Sequence, residues 1–194
     1  MILFAWLILW IPFFAALLIA LFLLWRPNLA GAVATLSMFL TFFMSVAIFL
    51  RSAHYGWSSV LIDSSVNWIV LGPMTIEFGI LLNGLSILML LIVTGVGSLI
   101  FLYSTSYMEG EEGYSRYFAS LSLFAFSMLG IVLSNNLIQV FIFWELVGLS
   151  SYLLIGFYFD KDSAALAGKK AFLTTRMGDV GMLIGILLLF HEFA

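Results

Sequence analysis

The sequence predicts an all-α integral membrane protein of about six transmembrane helices. Three observations carry that reading. Apolar runs longer than about 18 residues recur along the chain, the length a helix needs to cross a bilayer. Only 9% of the 194 residues are charged and 64% are hydrophobic, whereas a soluble domain carries about 25% charged residues. Most polar residues gather in short breaks between the runs, yet two acids, Glu145 and Asp179, lie deep inside them.

The first span is Ile2 to Trp25. No basic stretch precedes it and it is too long for a signal-peptide core, so it reads as a retained helix. Pro12 is expected to kink it, an event that membrane helices tolerate. Arg26-Pro27-Asn28 makes a turn, and a second span runs from about Leu29 to Leu50. From Arg51 to Glu77 the apolar run is broken by Trp57, Asp63, Asn67, Gly72 and Pro73. Residues 51–77 therefore read as an extramembrane loop, with a short β-hairpin of Trp57–Ile62 and Val66–Leu71 around Asp63-Ser64-Ser65. Its tryptophans suit the membrane–water interface.

The third span covers Gly79 to Tyr103, and its Gly95-x-Gly97 reads as a close helix contact. A phosphate loop is disfavoured, because no strand precedes those glycines. Ser104 to Arg116 is the most polar segment, with Glu109-Gly110-Glu111-Glu112-Gly113 at its centre. Calcium would need ligands at alternate positions, so a solvated loop is the simpler reading. The fourth span is Tyr117 to Leu133, and Ser134-Asn135-Asn136 offers a turn and an N-cap for the fifth. The fifth runs from Asn136 to Phe159 with Trp144-Glu145 in its interior. After the break Asp160-Lys161-Asp162-Ser163, a sixth span extends from about Ala167 to Phe190.

Composition also sets the chemistry. Without cysteine there is no disulfide framework, no thiolate metal site and no sulfur ligation of an iron–sulfur cluster. His54 and His191 lie far apart near predicted helix ends, a poor basis for haem ligation. No basic patch suggests nucleic acid, so no metal, cofactor or nucleic-acid partner is expected for this chain. Any coupled redox reaction belongs elsewhere. Arg26, Arg116 and Lys161, with Lys169 and Lys170 close by, fall on one side of the membrane, and only Arg51 on the other. The basic side should be cytoplasmic, which puts the N-terminus outside.

A carboxylate at mid-bilayer costs roughly 2.5–3.5 kcal/mol on insertion scales, so its default reading is functional. With a rise of about 1.5 Å per residue, Glu145 and Asp179 fall at similar depth on consecutive antiparallel helices. Gly148, Tyr152 and Gly156 share a face with Glu145 and leave room beside it. Nothing on its own helix neutralises Glu145, which makes a switchable proton site. Arg176 and Asp179, at i and i+3, can pair locally. By period, Lys169 rather than Lys170 lies beside Arg176; an interfacial, snorkelling role suits either lysine.

These residues also form a familiar pattern. Tyr107 to Phe118, Trp144-Glu145-Leu146-Val147-Gly148, Ser151 to Tyr158, Lys170-Ala171-Phe172 and Thr175-Arg176-Met177-Gly178-Asp179 resemble the L-type subunit of bacterial NADH–quinone oxidoreductase, respiratory complex I. Leu82-Asn83-Gly84-Leu85-Ser86 adds to the likeness, which is dense from about Gly79 onward and thin before it. The wider group is the antiporter-like superfamily. The resemblance implies a proton-translocating subunit with no redox centre of its own, with FMN, iron–sulfur clusters and quinone in partner subunits. It implies outward proton movement through a buried Glu/Lys relay in which Glu145 is the gating acid and pairs with a lysine on a later, broken helix beyond these residues. It implies too that Asp179, Arg176 and Lys170 take part in proton translocation, and that Trp144, Gly148 and Tyr152 support packing. Periodicity and resemblance thus part over Lys169 and Lys170.

On this reading, residues 1–78 supply two helices and the loop, 79–103 the third helix, and 104–194 the acidic loop plus the first three helices of a translocation repeat. Family members are far longer, so the chain is expected to be a fragment or a split subunit that needs the remaining part of its own subunit. Other partners would be membrane subunits, especially a neighbouring antiporter-like one, and the lipid bilayer. The expected location is a bacterial inner membrane, crossed several times. The alternatives are the A-type member of a multisubunit sodium/proton antiporter, or another ion-coupled complex using such subunits, and a membrane scaffold whose charges only fix packing.

Overall fold

The computed structural model describes residues 1–53, 62–71 and 74–193. In chain order the elements are α1 (Ile2–Phe22), α2 (Pro27–Ser52), β1 (Ile62–Leu71), β2 (Met74–Leu82), α3 (Gly84–Tyr107), α4 (Tyr114–Leu133), α5 (Leu137–Ile155) and α6 (Asp162–Phe193). All six helices are long and apolar enough to cross a membrane. The predicted spans are found, with boundaries moved by local chemistry.

The largest move is in the third span. Gly79–Leu82 belongs to β2, and α3 begins only at Gly84. The Asn83 side chain accepts from the Ser86 amide at 2.9 Å, while the Ser86 hydroxyl accepts from the Asn83 amide at 2.8 Å. This reciprocal cap satisfies two orphan donors and fixes the helix start. The hairpin itself is displaced from its expected register. Ile62–Leu71 forms one continuous strand through Asp63-Ser64-Ser65 and pairs antiparallel with Met74–Leu82, with an irregularity between Asn67 and Ile69. The sequence between the strands is Gly72-Pro73, a breaker pair that outranks the Asp-Ser-Ser signal. The expected partner strand at Trp57–Ile62 lies, but for Ile62, outside the described residues.

Smaller shifts follow the same logic. Gly113 caps α4 at φ +88°, a left-handed conformation that glycine adopts without strain, so α4 starts at Tyr114. Residues 156–160 fall outside the fifth helix, which ends at Ile155, and Arg116 donates to the Phe157 carbonyl at 3.2 Å. Asp162 in the first turn of α6 favours an earlier start than Ala167 through the helix dipole. Pro12 is buried inside α1.

Helix α4 is the hub, packed against α1, α2, α3 and α5, whereas α6 packs chiefly on α5. The core has two parts. One, at the hairpin end, gathers Ile8, Leu9, Ile80, Leu90, Leu129 and Phe143. The other, at the end holding the α1–α2 and α3–α4 turns, gathers Ile19, Met38, Phe101 and Phe118. Small residues permit these contacts. A Cβ on Gly130 would run into the Phe143 ring, and one on Gly95 would lie 3.2 Å from Phe42 of α2. The Ser98 hydroxyl crosses the same α2–α3 seam to the Met38 carbonyl at 3.1 Å.

The hairpin is fastened to the α4–α5 turn by polar side chains. Buried Gln139 accepts from the Gly79 amide and donates to the Gly79 carbonyl, both at 2.9 Å. Asn136 caps α5 by accepting from the Gln139 amide at 2.8 Å, as its position predicts, and donates to the Glu77 carbonyl at 2.7 Å. Replacing Gln139→Leu strands two buried backbone groups, so unfolding stability in detergent should fall by about 2–4 kcal/mol. Amide exchange at Gly79 should rise in parallel; unchanged exchange there would show that the clamp contributes nothing.

Candidate functional site

The two acids that stand out in the sequence are brought together by one cation. Glu145 on α5 forms an ion pair with Arg176 on α6, and Arg176 also reaches Asp179 at 3.9 Å. Arg176 further donates from Nη2 to the Glu145 backbone carbonyl at 3.4 Å and lies 4.4 Å from the Phe172 ring centroid. The local Arg176–Asp179 pair expected from spacing is therefore the weaker half. The main partner of Arg176 lies across the helix seam, because a guanidinium fork can serve two carboxylates.

Asp179 is buried and is held by a second helix as well. The Trp144 indole donates from Nε1 to Asp179 Oδ1 at 2.9 Å, leaving Oδ2 toward Arg176. Trp144 and Glu145 are consecutive, yet both reach α6, one to each member of its charged pair. Sequence reading gave Trp144 a packing role and missed this bond. The available signal was an indole beside one acid, at a depth matching another.

Gly148, Tyr152 and the end of α5 shape the seam. A Cβ on Gly148 would sit 3.6 Å from Arg176 Nη2, so a larger side chain would intrude on the guanidinium. Tyr152 meets Phe172 at 5.5 Å between centroids, and the backbones of Gly156 and Gly168 lie close enough that a Cβ on Gly168 would be 3.5 Å from Gly156 Cα. Lys170 is not part of the cluster: it is exposed, and its carbonyl accepts from the Thr174 hydroxyl. Lys169, also exposed, lines a groove together with Tyr152 and Gly156.

The cluster is only partly enclosed by the described residues. The side chains of Arg176, Glu145 and Asp179 retain 32%, 22% and 9% of their exposure. Arg176 Nε is buried without a partner among the described residues, a donor left for a further group. Those residues hold no group of three or more His, Asp or Glu placed to bind a metal ion. At the opposite loops, desolvation first and then the Glu111 carboxylate hold the Tyr158 phenol above its ordinary 10.0.

Two family models cover most of this architecture. Residues 68–118 match the N-terminus of chain 5 of NADH-ubiquinone oxidoreductase, complex I, and residues 134–193 match the transmembrane region of NADH:quinone oxidoreductase and Mrp antiporters. The chain belongs to the antiporter-like family of complex I and Mrp membrane subunits. Among this family's curated relatives, the chloroplastic NAD(P)H-quinone oxidoreductase subunit 5 of Marchantia polymorpha is 45% identical over 188 residues, 94% of this chain and 27% of that protein. The same subunit of Anthoceros angustus is 54% identical over 132 residues, 66% of this chain and 18% of that protein. The chain thus spans about a quarter of the length of the relatives it matches.

Solved antiporter-like structures agree in fold. A chain of the archaeal membrane-bound sulfane sulfur reductase, a respiratory membrane complex, aligns with a TM-score of 0.77 at 18% identity, over 97% of this chain and 37% of that one. A chain of the Mrp complex from Dietzia sp. aligns at 0.70 with 26% identity, over 93% of this chain and 18% of that one.

Because the pair is a fifth to a third exposed, its strength is discounted from that of a dry ion pair. A double-mutant cycle of Glu145→Gln and Arg176→Gln should give a coupling of about 1–3 kcal/mol. A coupling within error of zero would mean that the fork holds nothing together. Trp144→Phe should shift the infrared carboxylate bands assigned through Asp179→Asn; identical spectra would show the indole bond to be idle.

Proposed function

We propose that this chain supplies the leading part of a proton-translocating subunit of an NADH:quinone oxidoreductase complex. The observation that supports this most directly is Arg176 set between two carboxylates on adjacent membrane helices. A carboxylate neutralised by a cation holds its charge; one whose cation turns away is desolvated and takes up a proton. With Glu145 and Asp179 both in reach, Arg176 can favour either acid, and each transfer between them changes which one is free. Glu145 would gate the path, with Asp179 and Arg176 modulating it and Trp144 holding Asp179 in place. Lys170, exposed here, would join only through a surface supplied by further chain. The open side of the cluster and the unpartnered Arg176 Nε fit that expectation.

The energy would come from quinone reduction in partner subunits carrying FMN and iron–sulfur clusters, with the redox step outside this chain. Partners would include a neighbouring antiporter-like subunit, together with the remaining part of its own subunit. We place the chain in a bacterial inner membrane, N-terminus outside, on the strength of Arg26, Arg116 and Lys161; its relatives named above are chloroplastic. The second reading is the A-type member of a sodium/proton antiporter, favoured by the likeness to the Mrp complex. Co-purification separates the two: flavin and iron–sulfur subunits for the first, only membrane subunits for the second.

In the complete subunit, Glu145→Gln should depress proton pumping in reconstituted vesicles by about a hundredfold, the range of a lost proton-transfer group. Undiminished pumping would leave the carboxylate a purely structural part. Because the chain has no cysteine, single thiols report sidedness cleanly. Lys161→Cys should react with an impermeant maleimide only from the cytoplasmic side and Ser64→Cys only from outside; the reverse pattern would invert the orientation.

A further inference from the structure

A groove unrelated to the acid cluster runs along α1, α4, α5 and the start of α6. It encloses about 650 Å³, within the roughly 300–1,000 Å³ of small-ligand sites. Its walls are almost wholly apolar, with Ala16, Ala20 and Leu153 along its length. Its only charged lining residues among those described are Arg116 and Lys169, and no described acid lines it.

Both cations lie near the end of the helices that bears the α3–α4 and α5–α6 loops. Arg116 is in the first turn of α4, and Lys169 is about 10 Å along α6 from its start at Asp162. A side chain on a helix leans toward the helix N-terminus, so Lys169 snorkels back toward that same end. Arg116 gives one hydrogen bond to the Phe157 carbonyl and lies over the Phe157 and Phe159 rings, so it has donors to spare among its five. Lys169 has no ion-pair partner among the described residues. Two unmatched cations at headgroup depth above an apolar channel fit one kind of occupant.

We propose that this groove binds one anionic phospholipid, its phosphate between Arg116 and Lys169 and an acyl chain along Ala16, Ala20 and Leu153. A packed apolar helix would leave both cations unsatisfied; a phosphate satisfies them. The site gives Lys169 a role in lipid recognition, separate from proton transfer. It also accounts for an apolar channel lined by small residues on α1.

The test uses the full chain, with the subunits that co-purify with it, in nanodiscs of phosphatidylcholine containing a minority of phosphatidylglycerol. A photoactivatable acyl-chain probe is carried by one lipid or by the other. Phosphatidylglycerol should label α1 and α5 peptides around Ala20 and Leu153 in clear excess over phosphatidylcholine. Lys169→Gln should cut that preference about fivefold, the effect of one basic residue at the lipid surface, while Lys170→Gln leaves it unchanged. Ala20→Trp, which fills the groove, should suppress labelling by both lipids. Equal labelling by the two lipids would overturn the phosphate site. No labelling of α1 and α5 would mean that protein occupies the groove, and would overturn the proposal too. Neither result bears on the Glu145 pathway.

Discussion

A charge inside a membrane must find an opposite charge, and in this protein that requirement fixes how α5 and α6 meet. Helix α6 buries little of its surface and packs chiefly on α5. What aligns it is mostly polar, Arg176 on Glu145 and Asp179 on Trp144, beside the close Gly156–Gly168 backbone approach. Apolar packing between membrane helices supplies little orientation, because lipid tails are as good a neighbour as leucine. Side-chain bonds gathered at one level therefore set the rotation of α6. The same bonds are the ones that the proposed proton transfer would rearrange.

The sequence disclosed much of this because membrane physics is coarse. Span number followed from apolar length, and the level of Glu145 and Asp179 followed from helical rise. Asn136 as a cap and Gly95-x-Gly97 as a contact were legible from residue type and place. Other features were hidden for definite reasons. Gly79–Leu82 is as apolar as α3, so nothing in its hydropathy separates a buried strand from a helix start. The Asn83–Ser86 cap that divides them is brief and sits inside one continuous hydrophobic stretch. The resemblance gave Glu145 a lysine on a later helix as its partner; that Arg176 pairs with it within these residues was invisible, because rotation about a helix axis is set by tertiary packing. Period alone brought Arg176 and Asp179 together but could not show that the guanidinium faces across the seam.

Small residues act here as instructions about distance. Gly130 admits the Phe143 ring into α4, and Gly148 leaves the guanidinium of Arg176 its space on α5. The buried hydroxyls of α2 and α3 return mostly to their own helix carbonyls, as with Thr94 to Leu90 and Ser98 to Thr94, both at 2.6 Å. Such bonds satisfy polar groups away from water without committing the helix to a partner. Some hydroxyls do cross between elements, as Ser98 does to the Met38 carbonyl and Ser104 to the Tyr117 hydroxyl, and with the Gln139 amide on Gly79 they mark where the bundle is pinned.

The pin at Gln139 has a mechanical consequence. It sits near the first turn of α5 and grips β2 by both the amide and the carbonyl of one residue, so that end of the helix cannot slide along its own axis without tearing two bonds at once. Glu145 lies more than one turn farther on, beyond the grip. With that grip intact and β2 in place, the movements left to the acid are swivel and tilt about an anchored end, those of a lever and not of a piston.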